Sequence, residues 1–373
     1  MRVVLADPPA FTPQYDHELA AALVRAGAEV ELLTSRFRFG EIPAADGYRR
    51  TDSLYPISSR VFRRSRLRLP VKAAEHVLVQ RALARPWHDV LHVQWLAWPQ
   101  RDRRLRFRAP AVFTAHDLVP RRTAARPDLW RELLGKFDRV VVHSERGRET
   151  VVELGAAAER VRVVPHPVYR SEPTRADDGR TLLCLGLIRP YKGLGDAVEA
   201  VRRVDGARLL VAGEPVEPVD AYRAAAGDRA EWRLGYLPDA ELDRALGDAT
   251  VALFPYRAEL DQSGALLRAL GAGVPAVVYD VGGLAEPVRE HGAGRVVPAG
   301  DLDALMIFSR DRILTTHVGS LPRNEKLSDL LVRQEAGEKF DAAEMAAEMD
   351  KAVRHVVEKQ ASAGIDIGND GEQ

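Results

Sequence analysis

The sequence predicts an α/β protein with two doubly wound, parallel-sheet domains in tandem. Three observations lead there. Short apolar runs alternate with amphipathic stretches along most of the chain. The runs are continuously apolar, as expected of strands covered on both faces. The rhythm breaks at a Pro- and Asp-rich stretch, residues 165–179, and then starts again.

The elements follow in order. Residues 2–6 (RVVLA) read as a buried strand. Residues 15–25 carry Leu19, Ala22 and Leu23 at helical spacing, and Gly27 closes that helix. Strands follow at 29–33, 90–93, 111–114 and 139–143. Ser144 is a good N-cap for a helix that runs to Leu154 and stops at Gly155. After the linker come a strand at 181–185, a helix at 193–204 and a strand at 207–212. Strands at 250–254 and 275–279 enclose a helix at 264–270. Ligands of such sheets sit outside the carboxyl ends of the strands, so the predicted site is the cleft between two facing sheets.

Composition narrows the function. The 373 residues include 54 basic and 54 acidic side chains, and 46% are hydrophobic, a globular balance. A single cysteine, Cys184, excludes a disulfide framework and a cysteine-rich zinc site. No apolar run reaches the roughly 18 residues of a membrane span, and MRVVLADPP lacks the pattern of a signal peptide. A cytoplasmic location is expected. The zero net charge hides a gradient: +11 over residues 1–170, −7 over 171–305 and −4 over 306–373. Ten basic and three acidic residues lie from Arg36 to Lys72. Such a run suits an anionic partner, whether a membrane surface, a phosphorylated acceptor or nucleic acid. It equally suits a solvated Arg-rich surface.

Four segments carry the functional signal: FTAHD (113–117), VVVHSERGRETVVELGAAAERVRVVPHPV (140–168), LCLGLIRPYKGLGDAVEAV (183–201) and LFPYRAELDQSGALLRALGAGVPAVVYDVGGLAEPV (253–288). Together, in this order, they resemble the retaining glycosyltransferases of family 4 over residues 1–305. That family has the GT-B fold of two Rossmann-like domains. The resemblance implies an acceptor-side domain at 1–170 and a nucleotide-sugar-binding domain at 171–305. It implies sugar transfer from a nucleotide-sugar donor to a carbohydrate or lipid-linked acceptor, in polysaccharide or glycolipid synthesis. No metal and no nucleic acid are expected, and the basic run becomes a candidate peripheral contact with the inner face of a membrane.

The residues make chemical sense of this. Negative charge grows on a departing diphosphate, and Arg189 and Lys192 place two cations in a strand-to-helix loop. Gly193 and Gly195 allow close backbone approach at a helix start, which favours anions. The plain alternative is a βα loop with surface charges. His116 follows a strand end, and the resemblance implies contact with the transferred sugar; a hydrogen-bonded loop histidine is the alternative. Gly186 opens the family's Gly-x-x-x-x-x-Lys-Gly loop. Ser263 and Gly264 open a helix toward the donor phosphates, while Gly283 and Glu286 match its Gly-Gly-x-x-Glu loop. Glu286 also reads as a helix-start carboxylate. His166 is expected at the hinge, with Pro167 in place of the family's Gly, and His143 in the core.

The chain departs from the family in places. Arg268 occupies the position of the glutamate that binds the donor ribose, and Glu259 or Asp261 stands only loosely for its partner. The loop after the first strand, residues 7–19, has no glycine. Asp301 and Asp303 form an Asp-x-Asp far from the donor loop, best read as an N-cap with a first-turn acid. After Leu305 the character changes. MIFSRDRILTTHVGSLPR (306–323) and AGIDIGNDGEQ (363–373) resemble the start of the barrel domain of cobalamin-independent methionine synthase-like proteins. This unrelated α/β fragment, residues 306–373, includes an amphipathic helix at 341–362 with Met345, Met349, Val353, Val356 and Val357 on one side. One partial unit cannot close a barrel, so His317, Asp370 and Glu372 are expected to have no catalytic role. The alternative reading of the whole chain is a non-catalytic or unstable fusion product.

Overall fold

The computed structural model describes residues 1–37, 40, 42–59, 68–85, 88–118, 123, 125–257, 261–306, 324–337, 339 and 341–362. Two all-parallel sheets organise the described chain. The first half contributes β1 (Arg2–Asp7), α1 (Pro13–Arg25), β2 (Glu29–Thr34), β3 (Arg49–Thr51), α2 (Arg68–Leu83), β4 (Val90–Val93), α3 (Pro99–Asp102), β5 (Ala111–Thr114), α4 (Pro127–Leu134), β6 (Arg139–Val142), α5 (Glu145–Glu153) and β7 (Val161–Val163). Its strand order is β3-β2-β1-β4-β5-β6-β7. The second half contributes β8 (Thr181–Leu185), α6 (Leu194–Arg203), β9 (Arg208–Gly213), α7 (Asp220–Ala226), β10 (Ala230–Leu234), α8 (Asp239–Asp248), β11 (Val251–Phe254), α9 (Gly264–Gly271), β12 (Ala276–Tyr279), α10 (Ala285–Glu290), β13 (Gly294–Val297) and α11 (Leu302–Met306). Its order is β10-β9-β8-β11-β12-β13.

Both orders reverse direction once, between β1 and β4 and between β8 and β11. These are the two switch points at which a doubly wound sheet opens a ligand crevice. Apolar side chains pack on both faces of each sheet. In the first domain Val79, Trp130, Leu133 and Phe137 cover one face, and Ala20 and Tyr48 help cover the other. In the second, α6 brings Ala197, Val198 and Val201 to one face, while α8 and α9 bring Leu246 and Leu266 to the other.

The predicted linker has no regular element between β7 and β8. It runs along the second domain and is bonded to it. Ser171 N donates to Gly271 O at 3.3 Å and Ala176 N to Gly247 O at 2.9 Å. The Arg175 guanidinium donates to the carbonyls of Leu246 and Ala249.

The central strands match the sequence expectation within a residue or two. Four strands were not expected: β3, β7, β10 and β13, which form the edges of the two sheets. Asp301 caps α11 by accepting from Ala304 N at 2.8 Å, as expected of that Asp-x-Asp. Beyond it lie α12 (Glu325–Glu335), which the sequence reading missed, and α13 (Ala342–Ser362). They pack on each other. Lys326 pairs with Glu344 at 2.7 Å, and Leu327, Leu330, Met345 and Val356 are buried. Met349 and Val357, expected on the same apolar side of α13, are exposed. Of the segment expected at 306–323, Met306 ends α11, and the rest, with residues 363–373 and with His317, Asp370 and Glu372, lies outside the described residues, as does Glu259.

Candidate active site

At the second switch point the loop after β8 crosses the loop after β11 at backbone distance. Gly193 stands in the left-handed region at φ +67° and caps the start of α6. A Cβ there would lie within contact of the Pro255 carbonyl oxygen and 3.0 Å from its carbon. Glycine is required here by backbone, not by side chains. Gly186, at φ +95°, leaves room for Lys192 Nζ, 3.1 Å from where its Cβ would be. Gly195 differs from expectation. It is exposed, and an added Cβ would meet only Tyr222 Cε1 at 3.6 Å, so close approach does not depend on it.

Lys192 Nζ lies 5.0 Å from the centre of the Tyr256 ring and 3.5 Å from Leu185 O. Burial outweighs these contacts and lowers the ammonium to about 8. Arg189 lies in the same loop, and its buried Nε has no hydrogen-bond partner. A buried guanidinium nitrogen left unpaired costs free energy that an anion would repay. Arg257, the next cation along the rim, is already committed: it forms a two-pronged pair with buried Asp196, which also accepts from Tyr279 at 3.0 Å.

Ser263 and Gly264 do open a helix. The Ser263 hydroxyl, however, accepts from Leu266 N at 3.4 Å and pairs with Tyr256 at 3.2 Å, so it caps α9 and braces the tyrosine. Gly264 is exposed at the first turn. Arg268, in the place of the family's glutamate, points to α8 and pairs with Asp239 at 2.9 Å.

Glu286 and Gly283 serve the junction between the domains. The Glu286 carboxylate accepts from Glu145 N and Arg146 N, both at 2.9 Å, at the first turn of α5. Asp261 reaches the same helix end, accepting from His143 N at 2.6 Å and from the Ser144 hydroxyl. Ser144 in turn caps α5 by accepting from Gly147 N at 2.8 Å. Two acids of the second domain thus finish a helix of the first, where the dipole favours negative charge. Burial pushes Asp261 up to about 6 despite these donors. A Cβ on Gly283 would run into Asp261 O and the Ser144 hydroxyl, so this glycine is a packing requirement of the junction.

His116 sits at the first domain's side of the cleft. Its ring stacks on Trp95 at 5.3 Å and meets Tyr15 edge-on at 4.6 Å. His116 Nε2 lies 3.0 Å from Gln94 Oε1. His143 is 5.3 Å from His116, and His166 is 4.9 Å from His143. His143 Nδ1 bonds Val164 O at 2.8 Å and is 4% exposed, in keeping with the expected core role. Burial holds all three rings neutral, with His143 near 4 and His116 well below its usual value. Asp7, at the end of β1, and Asp16, on α1, are buried side by side, and burial raises both carboxyl groups. The sequence reading missed Gln94, Trp95, Tyr15 and this acid pair. The signal was present, since all but Tyr15 and Asp16 lie at or just past the carboxyl ends of strands it identified.

Residues 14–172 match the family model "Glycosyltransferase Family 4", and residues 179–307 match "Glycosyl transferases group 1". The D-inositol 3-phosphate glycosyltransferase of Geodermatophilus obscurus is 29% identical over 332 residues, covering 74% of this chain and 72% of that protein. The Mycobacterium bovis protein of the same name is 28% identical over 60% of this chain and 54% of its own length, so the chain spans about half of that relative. Among solved structures, sucrose-phosphate synthase from Thermosynechococcus elongatus superposes with TM-score 0.63 at 20% identity, covering 82% of this chain and 88% of that one. The Anabaena protein HepE in complex with UDP-glucose superposes with TM-score 0.60 at 15% identity, with the same coverages.

Proposed function

We propose that this chain, which has the GT-B architecture and whose two halves match glycosyltransferase family models, moves a sugar from a nucleotide-sugar donor to an acceptor hydroxyl with retention at the anomeric carbon. The observation that carries this reading is the β8–α6 loop. It sets Lys192 and a guanidinium with an unpartnered buried nitrogen at the switch point, beside a helix start. In this reading the acceptor oxygen bonds to the anomeric carbon on the face the diphosphate leaves. The bond from that carbon to the phosphate oxygen breaks, and the acceptor's proton passes to that oxygen. Arg189 and Lys192 take the growing negative charge, so no divalent metal is needed. His116, held neutral, offers a hydrogen-bonding ring to the sugar without adding charge.

Thermal melting with UDP-, GDP- and ADP-sugars, each with and without EDTA, tests this. A true donor at 100 times its dissociation constant adds roughly 2.7 kcal/mol of stability. The reading fails if no nucleotide sugar stabilises the protein, and its metal-free part fails if EDTA abolishes the effect.

The acceptor belongs to polysaccharide or glycolipid synthesis, and the enzyme works in the cytoplasm against an anionic membrane face. Among the described residues no helix is long and apolar enough to cross a membrane. Peripheral contact is supported by α2. Its one acid, Glu75, is turned inward to accept from Ile57 N and Ser58 N, while Leu69, Val77 and Leu78 are exposed beside Arg81. Co-sedimentation with anionic but not neutral vesicles is the expected result. The tail from residue 306 reads as an appended fragment without methyl-transfer chemistry, supported by a chain whose one cysteine, Cys184, lies in β8 with its thiol pushed up to about 12 by burial.

A further inference from the structure

We infer that Tyr169, in the linker between the domains, is a positioning residue for sugar transfer, its ring tying the first turn of α9 on the donor side to His116 on the opposite wall of the cleft. This rests on the glycosyltransferase reading and adds how the two halves of that site are held to each other.

The linker lays Tyr169 lengthwise along α9. At one end of the helix a Cβ on Gly271 would run into the Tyr169 carbonyl, so backbone meets backbone there. At the other end the Tyr169 ring closes on the first turn, its Cε2 3.8 Å from where a Gly264 Cβ would be. α9 follows β11, which neighbours β8 at the reversal of strand order, so this turn opens on the second switch point. Gly264 itself is exposed. Phosphates drawn to the free amides of that turn therefore act on a segment that Tyr169 touches.

From Tyr169 a file of rings runs into the first domain. Tyr169 meets His166 edge-on at 5.7 Å, His166 packs on Tyr15 of α1 at 4.9 Å, and Tyr15 meets His116 edge-on at 4.6 Å. Tyr15 is 4% exposed, and its hydroxyl is bonded to Thr114, whose own hydroxyl lies 2.7 Å from His92 Nε2. A side chain so enclosed passes a displacement on rather than absorbing it. Packing and not charge holds the file together. Burial lowers His116 and His166 and raises the Tyr15 and Tyr169 hydroxyls, so all four rings are neutral around pH 7. A second route bypasses Tyr169: Asp261 accepts from His143 N, and the His143 ring lies 5.3 Å from His116. That contact grips backbone, while the His143 ring is tethered elsewhere, to Val164 O at 2.8 Å.

NMR of the full chain with labelled histidine tests the assignment. The probes are UDP, GDP and ADP, and the spectrum of His116→Gln identifies the signal. A nucleoside diphosphate carries no sugar that could reach His116 itself. Nucleotide binding should shift the His116 ring signals in the parent and in Tyr169→Phe, which keeps the ring. In Tyr169→Leu nucleotide affinity should fall no more than roughly 2- to 12-fold, the worth of one aromatic contact, while the His116 response at saturation is lost. His166→Leu breaks the file one ring further on and should lose the response as well, which keeps the test open if Tyr169→Leu does not fold. A full response in either folded leucine variant overturns the proposal and assigns the coupling to the Asp261–His143 contact. Loss of the response in Tyr169→Phe also overturns it. So does a silent His116 in a parent that binds nucleotide, which leaves the glycosyltransferase reading standing. If no nucleotide binds the parent, both fall together.

Discussion

Replacing Gly193 by alanine tests the place where the donor loop meets the backbone of its neighbour and so depends on having no side chain. At φ +67° and ψ 31° an L-residue carries a penalty of about 1–2 kcal/mol. The new methyl also runs into the Pro255 carbonyl, which is backbone and cannot turn aside. Pro255 leads directly into Tyr256, 2% exposed and lying against Lys192. Relief therefore means repacking that tyrosine, at a further cost of about 1–3 kcal/mol. The sum, roughly 2–5 kcal/mol, corresponds to a fall in melting temperature of order 10 °C for a domain of this size. Gly195→Ala is the internal control. Its side chain would meet only Tyr222 Cε1, at an ordinary contact distance of 3.6 Å, and helix propensity favours alanine by up to about 1 kcal/mol. Thermal and urea unfolding of both variants decides the matter. The reasoning is refuted if Gly193→Ala melts within about 1 kcal/mol of the parent, or if Gly195→Ala falls as far.

Three further outcomes are expected. Arg189→Ala and Lys192→Ala should each slow turnover roughly 10- to 1000-fold, the usual range for losing a preorganised charge partner, and near-parental rates in both would remove them from the site. Lys192 has its folded pKa lowered to about 8, so the folded state releases that proton before the unfolded state does. Its contribution makes stability rise with pH from about 8 to the ordinary lysine range, while nucleotide affinity falls over the same interval; Lys192→Met should flatten both trends, as read by melting and by titration calorimetry. Hydrogen exchange should show the amides of α12 and α13 protected less than those of β8, β9, β11 and β12, because their apolar residues join neither of the second domain's core clusters. Equal protection would mean that the tail is docked.

How much the sequence disclosed follows from where each strand sits. β1, β2, β4, β5 and β6, with β8, β9, β11 and β12, are covered on both faces, and continuous runs such as RVVLA and TLLCL betray them. The four missed strands are RRT, VRV, AEWRL and GRVV. An edge strand has one unpaired side and tolerates charge there, so its hydrophobic signature is diluted. The donor loop was legible because its chemistry is local: glycine, cations and a helix start fall within eight residues. Glu286 was legible as a residue but not as a role. Its partners, Glu145 N and Arg146 N, lie 140 or more positions away, on a helix end the sequence had already supplied with Ser144 as a cap. The histidine and aromatic cluster likewise joins four separate loops and α1, and only the folded chain brings them together.

A helix whose first turn is finished by carboxylates of another domain has consequences for recombination. Exchanging halves between related enzymes is a natural way to pair a new donor preference with an old acceptor preference. In this protein the second half cannot be treated as an interchangeable cartridge. A substitute lacking acids at the positions of Asp261 and Glu286 would leave three α5-end amides and the Ser144 hydroxyl without their acceptors. A substitute with a side chain at Gly283 would hold the halves apart. Hybrids that keep Asp261, Gly283 and Glu286 from this chain should join, and those that take them from a partner with a different junction should not.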